Sequence, residues 1–218
     1  MRYLMLCLSL VLSTTTVAET WRVIGDEQFA PYSFVQGDDN TPRGLDVELV
    51  SAILAEAKID YQLRLYPWAR VKRLLDTGAA EMAFQFAGTP ERQAQYELVG
   101  PIRSGSTVFM TTRKIALQNW HSLDELQPYV IGQVRGYAYE SAFDQADLSR
   151  DISAQNPRHY VHEQRADDNV HIMPNPLVEM PRYVAFKKGD SDRAGAFAAA
   201  LKRLQQRDAL TPILQRWQ

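Results

Sequence analysis

The sequence predicts an α/β protein built as two lobes. Residues 20–90 run through strand and helix patterns in the order β-α-β-α-β, and a β-α unit starts again near residue 129. Strands separated by helices of that length lie parallel in one sheet, because a parallel pair needs a long crossover. With 218 residues the chain is long enough to bury a core without disulfides.

Residues 1–18 read as a secretory leader that precedes the folded part. Arg2 supplies a positive start, Leu4 to Leu12 an apolar run, and Thr16-Val17-Ala18 a small-residue cleavage site before Glu19. The apolar run falls short of the about 20 residues that span a bilayer. Cys7, the only cysteine, lies inside it with Leu6 before it, so it reads as leader sequence and not as a lipid anchor. Loss of Arg2 takes Lys+Arg from 24 to 23 against 26 Asp+Glu, a net charge of −3. That balance gives no electrostatic footprint for nucleic acid or an anionic membrane.

Trp21-Arg22-Val23-Ile24-Gly25 is a short strand, followed by the aromatic loop Phe29-Ala30-Pro31-Tyr32-Ser33-Phe34 and a turn at 37–40. Gly44 to Lys58 is helical, with Leu45, Leu49, Ala52, Ile53 and Ala57 on one face and Asp46, Glu48 and Glu56 outside it. Tyr61 to Leu65 alternates as a half-buried strand does. Pro67 opens a second helix, with Val71, Leu74 and Leu75 as its face and Gly78 as its stop. Met82 to Phe86 is the third strand.

Thr89-Pro90-Glu91-Arg92 starts a short helix, and Val108-Phe109-Met110 is extended. Ser122 and Glu125 have capping-box spacing. Tyr129 to Val134 is a strand and Tyr137 to Leu148 a helix, so a second lobe begins near residue 108. Residues 149–180 show no sustained period and are expected to be irregular, an unusual length of loop for a compact domain. Tyr183 to Phe186 is a strand, Asp190 to Arg207 an amphipathic helix and Leu210 to Trp217 a last helical segment.

The aromatic loop with Arg43-Gly44-Leu45-Asp46-Val47-Glu48-Leu49 resembles the opening of the family 3 bacterial extracellular solute-binding proteins. Gly78 to Phe84 followed by Thr89-Pro90-Glu91-Arg92, Ile131-Gly132 through Gly136-Tyr137, and Phe186-Lys187-Lys188-Gly189 resemble later landmarks in the same order. The resemblance covers nearly the whole chain after residue 18, except 149–180. It implies a periplasmic-binding-protein type II-like fold: two α/β lobes joined by a two-strand hinge, closing on a small polar ligand. Lobe 1 would comprise residues 19–107 with 187–218, and lobe 2 residues 108–186, the latter shortened. Most relatives deliver polar amino acids to an ABC transporter. The expected partners are therefore a small carboxylate-bearing ligand and a transporter permease or membrane sensor. A monomer without cofactor or metal is expected, and no nucleic acid.

The resemblance makes Arg92 the first site candidate, since the matching arginine in relatives pairs with the ligand carboxylate, and a guanidinium offers a planar fork for that purpose. The competing reading is a surface arginine tied to its own helix. Tyr32 is assigned to the cleft wall and Phe34 to the core. Trp68 and Arg70 stand at a helix start, where the N-terminus and Arg70 would favour an anion, or else Trp68 packs under the lobe and Arg70 is solvated. Gln85 is a hydrogen-bonding candidate beside Ala87, which offers none. Gly136 and Tyr137 start a helix whose free N–H groups would suit an anionic group. His159, His162, Glu163 and His171 raise the question of metal, but the Pro-flanked segment favours solvated histidines.

No G-x-S-x-G, H-E-x-x-H or glycine-rich phosphate loop is present. Two other functions stay open. A small-molecule dehydratase on the same scaffold would need an acid or base from Tyr32, Tyr137 or Glu91. A shortened homologue would no longer bind.

Overall fold

The computed structural model describes residues 19–36, 41–152 and 169–217. Lobe 1 opens with β1 (Trp21–Asp26), the aromatic loop with its small sheet of β2 (Gln28–Phe29), β3 (Ser33–Gln36) and β4 (Thr41–Arg43), and helix α1 (Leu45–Ala57). Then come β5 (Tyr61–Tyr66), α2 (Trp68–Asp76), β6 (Met82–Ala87), the short α3 (Pro90–Gln95) and β7 (Tyr96–Arg103). Lobe 2 holds β8 (Ser106–Thr112), β9 (Ile131–Gly132), α4 (Ser141–Gln145), β10 (Arg150–Asp151) and β11 (Val170–Glu179). The chain returns to lobe 1 through β12 (Arg182–Lys187), α5 (Ser191–Gln206) and α6 (Thr211–Arg216).

The lobe 1 sheet has the order β5-β1-β6-β12-β7. β1 runs parallel to β5 and β6, and β12 is antiparallel to both its neighbours. All six residues of β6 are buried, as a central strand covered on both faces requires. On one face α1, α5 and α6 pack Leu49, Ile53, Phe197 and Leu201 against Val23, Phe84 and Phe186. On the other, Trp68, Val71 and Leu75 of α2 pack on Ala83, Phe86 and Tyr96. Glu56 of α1 holds Arg203 and Arg207 at 2.7 Å each, tying α5 to α1.

Lobe 2 is sparser among the described residues: β8 pairs antiparallel with β11, and β9 pairs parallel with β10. Two strands cross between the lobes side by side, and Met180 N donates to Gly105 O at 2.6 Å where they meet.

Four expectations are corrected. The strand Arg182–Lys187 lies inside the lobe 1 sheet, so lobe 2 ends near residue 181 and not at 186. Within 149–180, Arg150–Asp151 and Val170–Glu179 are strands; residues 153–168 lie outside the described residues. Pro174 and Pro176 hid the second of these. A proline cannot donate to a ladder, and the β8–β11 register shifts at Pro176. The helix expected from Tyr137 starts only at Ser141, because the Glu140 carboxylate caps it through Phe143 N at 3.0 Å. Ser122 precedes a single 3-10 turn, Leu123–Leu126, and its side chain makes no capping bond.

Candidate functional site

The site begins at the carboxyl ends of β1 and β6, where parallel sheets present ligand-facing groups. The aromatic loop folds over these ends and is fixed by the first turn of α1. Leu45 N donates to Pro31 O at 3.1 Å and Asp46 N to Tyr32 O at 2.8 Å, so the loop carbonyls satisfy helix donors that would otherwise lack partners. This approach requires Gly44, whose φ is 126° and where a Cβ would stand 2.3 Å from Tyr32 O.

Gln85 is buried with φ 77°, an uncommon backbone state for a side-chain-bearing residue. Its Oε1 accepts from Asp26 N at 2.8 Å and its Nε2 donates to Ser33 Oγ, which in turn donates to Asp26 O. Both ends of the amide therefore lock β1 to the aromatic loop, although the side chain also borders the cleft.

Arg92, on α3, is 9% exposed. Its guanidinium lies over Phe86 and Trp68, at 5.0 and 5.5 Å from the ring centres. Nη2 donates to Gly136 O at 3.2 Å, and Nη1 is the one buried side-chain polar atom among the described residues with no hydrogen-bond partner. Burial lowers the Arg92 pKa, with Tyr96 and Asp76 opposing the shift. Burial, followed by repulsion from Arg92, likewise lowers Lys72.

Lobe 2 meets these groups through Gly136 and Tyr137. Trp68 Nε1 donates to Gly136 O at 2.9 Å, and the Tyr137 hydroxyl donates to Asp26 Oδ2. The Tyr137 ring stands edge-on to Phe29 and Trp68 at 5.8 and 6.0 Å. Tyr137 thus fills the cleft beside Arg92, leaving about 20 Å³, room for about one water. Tyr137 N donates to Val134 O at 3.2 Å, so no helix N-terminus faces the cleft here.

Beyond Tyr137 a second cavity, about 410 Å³, extends from the hinge into lobe 2. Arg103 and Arg182 flank it near Tyr32 and Phe29. These two arginines are register partners in the β12–β7 pair, but their surroundings differ. Arg103 grips Asp46 bidentately, Nη2 to Oδ2 at 2.9 Å, and lies 3.7 Å from the Tyr32 ring centre. The Arg182 side chain makes no hydrogen bond or ion pair among the described residues, and its guanidinium lies 5.6 Å from the Phe29 ring centre, within electrostatic reach of Asp46, Tyr137 and Tyr32. Burial, then repulsion from Arg103, pushes the Arg182 pKa down to about 10, so it remains charged at neutral pH.

A sequence model of the bacterial extracellular solute-binding proteins, family 3, matches residues 21–218. The chain belongs to this family. Solved structures of similar fold include an arginine-specific periplasmic binding protein of Salmonella typhimurium, 16% identical with a TM-score of 0.76 over 92% of this chain and 99% of that one. The arginine-, lysine- and histidine-binding protein ArtJ of Geobacillus stearothermophilus is 20% identical, with a TM-score of 0.76 over 91% and 95% of the two chains. A histidine kinase sensor domain similar to periplasmic binding proteins is 19% identical, with a TM-score of 0.75 over 91% and 95%. These TM-scores, at 16% to 20% identity, show a shared fold.

In this solute-binding protein Arg92, Trp68, Gln85 and Tyr137 come together around the cleft, and Tyr32 lines the larger cavity with Tyr137. Phe34 packs toward Trp217, at 6.4 Å between ring centres. Arg70 is placed elsewhere: it is exposed, its guanidinium 4.2 Å from the Tyr66 ring centre, on the side of the first turn of α2 away from the buried Trp68 and Val71. His159, His162 and Glu163 lie outside the described residues. His171 Nε2 lies 2.5 Å from Gln118 O, and the described residues contain no cluster of His, Cys, Asp or Glu able to hold a metal. No helix among them is long and apolar enough to cross a membrane.

Asp26, Arg103 and Arg182 border the cleft or its adjoining cavity and Asp46 pairs with Arg103, and none of the four was singled out from the sequence. Asp26 was accessible to reasoning, since it ends a parallel strand. The others were not, because their partners are remote in the chain. Tyr137→Phe removes the hydroxyl donated to Asp26. The expected result is a loss of about 2 kcal/mol, a drop in Tm of roughly 4–8 °C by calorimetry. An unchanged Tm would show that the bond does not hold the lobes together.

Proposed function

We propose that this protein captures a small carboxylate-bearing solute between its lobes and passes it on unchanged. The observation that supports this most is charge. Among the described residues Arg92 and Arg182 border the cleft with one carboxylate, Asp26, and Arg103 and Arg182 line the adjoining cavity with none, Arg103 being paired with Asp46. Arg92 Nη1 has no hydrogen-bond partner among the described residues. A ligand carboxylate restores the balance, and a guanidinium fork binds it with two parallel hydrogen bonds. The space left beside Arg92 is too small for such a ligand, so entry requires Tyr137 to withdraw as the hinge opens. The arginine-binding proteins of similar fold support an amino-acid-like solute.

In this reading residues 1–18 direct export to the periplasm, and the protein acts as a monomer. It presents its ligand to an ABC-transporter permease or, like the kinase sensor domain of similar fold, to a membrane sensor.

Isothermal titration of the protein with amino acids and small carboxylates tests this. Arg92→Ala is expected to weaken the best carboxylate ligand at least tenfold, since a buried charge-assisted bond is lost. The recovered ligand should be chemically unchanged. Equal affinity of the variant would remove Arg92 from the site, and turnover would replace the binding reading with an enzymatic one.

A further inference from the structure

The cavity of about 410 Å³ differs in kind from the cleft at Arg92. Its walls are apolar: Val108, Phe109 and Met110 of β8, Ile131 of β9, Phe143 of α4 and Leu177 of β11. Of these only Phe143 is buried; the other five stay partly exposed to this space. The lobe 1 core, by contrast, leaves Phe84, Phe186 and Phe197 with no exposure. An apolar body lying along β8 would cover these side chains, as apolar walls with a few polar anchors do in small-molecule sites.

The charged groups at the cavity are one-sided. No acidic side chain lines it among the described residues, whereas Arg103 and Arg182 both do. Arg103 is paired with Asp46, which leaves Arg182 as the arginine at this cavity whose side chain makes no hydrogen bond or ion pair among the described residues. An ammonium group entering this space meets no anion, and a carboxylate meets a guanidinium shielded from water. With a water's share of volume at about 30 Å³, the space admits roughly a dozen heavy-atom groups.

We propose that this cavity binds an apolar-bodied monocarboxylate, its carboxylate on Arg182 and its alkyl or aryl body along β8 and Leu177. This rests on the carboxylate reading of the protein and narrows it: the preferred solute is amphipathic and lacks the amino group of an amino acid.

The test is titration of the purified protein with octanoate, octanol and L-arginine. Octanoate is expected to bind saturably, and octanol at least tenfold more weakly. Arg182→Met should weaken octanoate at least tenfold. So should Val108→Trp and Leu177→Phe, which fill the cavity; either suffices, provided its melt stays cooperative. Equal binding of octanol and octanoate would overturn the role of Arg182. Binding of L-arginine without octanoate would overturn the cavity assignment and leave the cleft reading standing. Binding of neither, nor of any other carboxylate, would remove both.

Discussion

Asp46→Ala is expected to lower the Tm by roughly 10 °C or more, the largest effect of any single substitution in the hinge region. Asp46 has no exposed surface, and its two oxygens take Nε and Nη2 of Arg103. Arg103 is itself 7% exposed and faces Arg182 across the β12–β7 pair. Removing the carboxylate leaves two guanidinium groups opposite one another in a buried place with nothing to neutralise either. Breaking a buried pair from one side costs about 3–5 kcal/mol, and for a protein of this size each kcal/mol moves Tm by about 2–4 °C. The double variant Asp46→Leu with Arg103→Met removes both charges, and calorimetry should show much of the loss recovered. A double variant as unstable as Asp46→Ala would mean that packing around the α1 N-terminus carries the effect.

Arg182→Met moves stability the other way. Burial and Arg103 hold the Arg182 pKa down at about 10, below the ordinary guanidinium range, which records a folded state that disfavours its charge. A base depressed on folding costs stability at every pH below its folded pKa, and the cost fades only as pH rises above about 10. The variant is therefore expected to gain about 1–3 kcal/mol, a rise in Tm of roughly 3–8 °C, with the same gain at pH 7 and pH 9. The same variant should lose carboxylate affinity. Stability withheld at a binding residue is common where a site needs an unsatisfied charge. A variant that is both less stable and unchanged in binding would show that Arg182 serves the hinge alone.

Much of lobe 1 was legible because its signals are local. The apolar period of Leu45, Leu49 and Ile53 gives α1, Pro67 gives the start of α2, and the apolar run at Met82 to Phe86, broken only by Gln85, gives a strand buried on both faces. Strand β7 was missed, since Gly100 and Pro101 interrupt it in sequence while β12 supplies its ladder in space. In lobe 2, Pro174 and Pro176 masked β11 in the same way.

The site divides along the same line. Arg92, Trp68 and Tyr137, singled out through ordered motifs along the chain, lie together around the cleft, while Arg70 is solvated, the alternative the sequence left open, because a helix start does not say which way each side chain faces. The sequence alone determined the α/β class, the order of elements and a family whose members bind solutes. Only the tertiary structure decided which groups meet: that Asp46 pairs with Arg103, that Tyr137 fills the cleft at Arg92, and that a cavity of about 410 Å³ extends from the hinge into lobe 2. Periodicity and capping act over a few residues and so are written in the chain. Neutralising a buried charge depends on groups that only the completed sheet and hinge bring within reach.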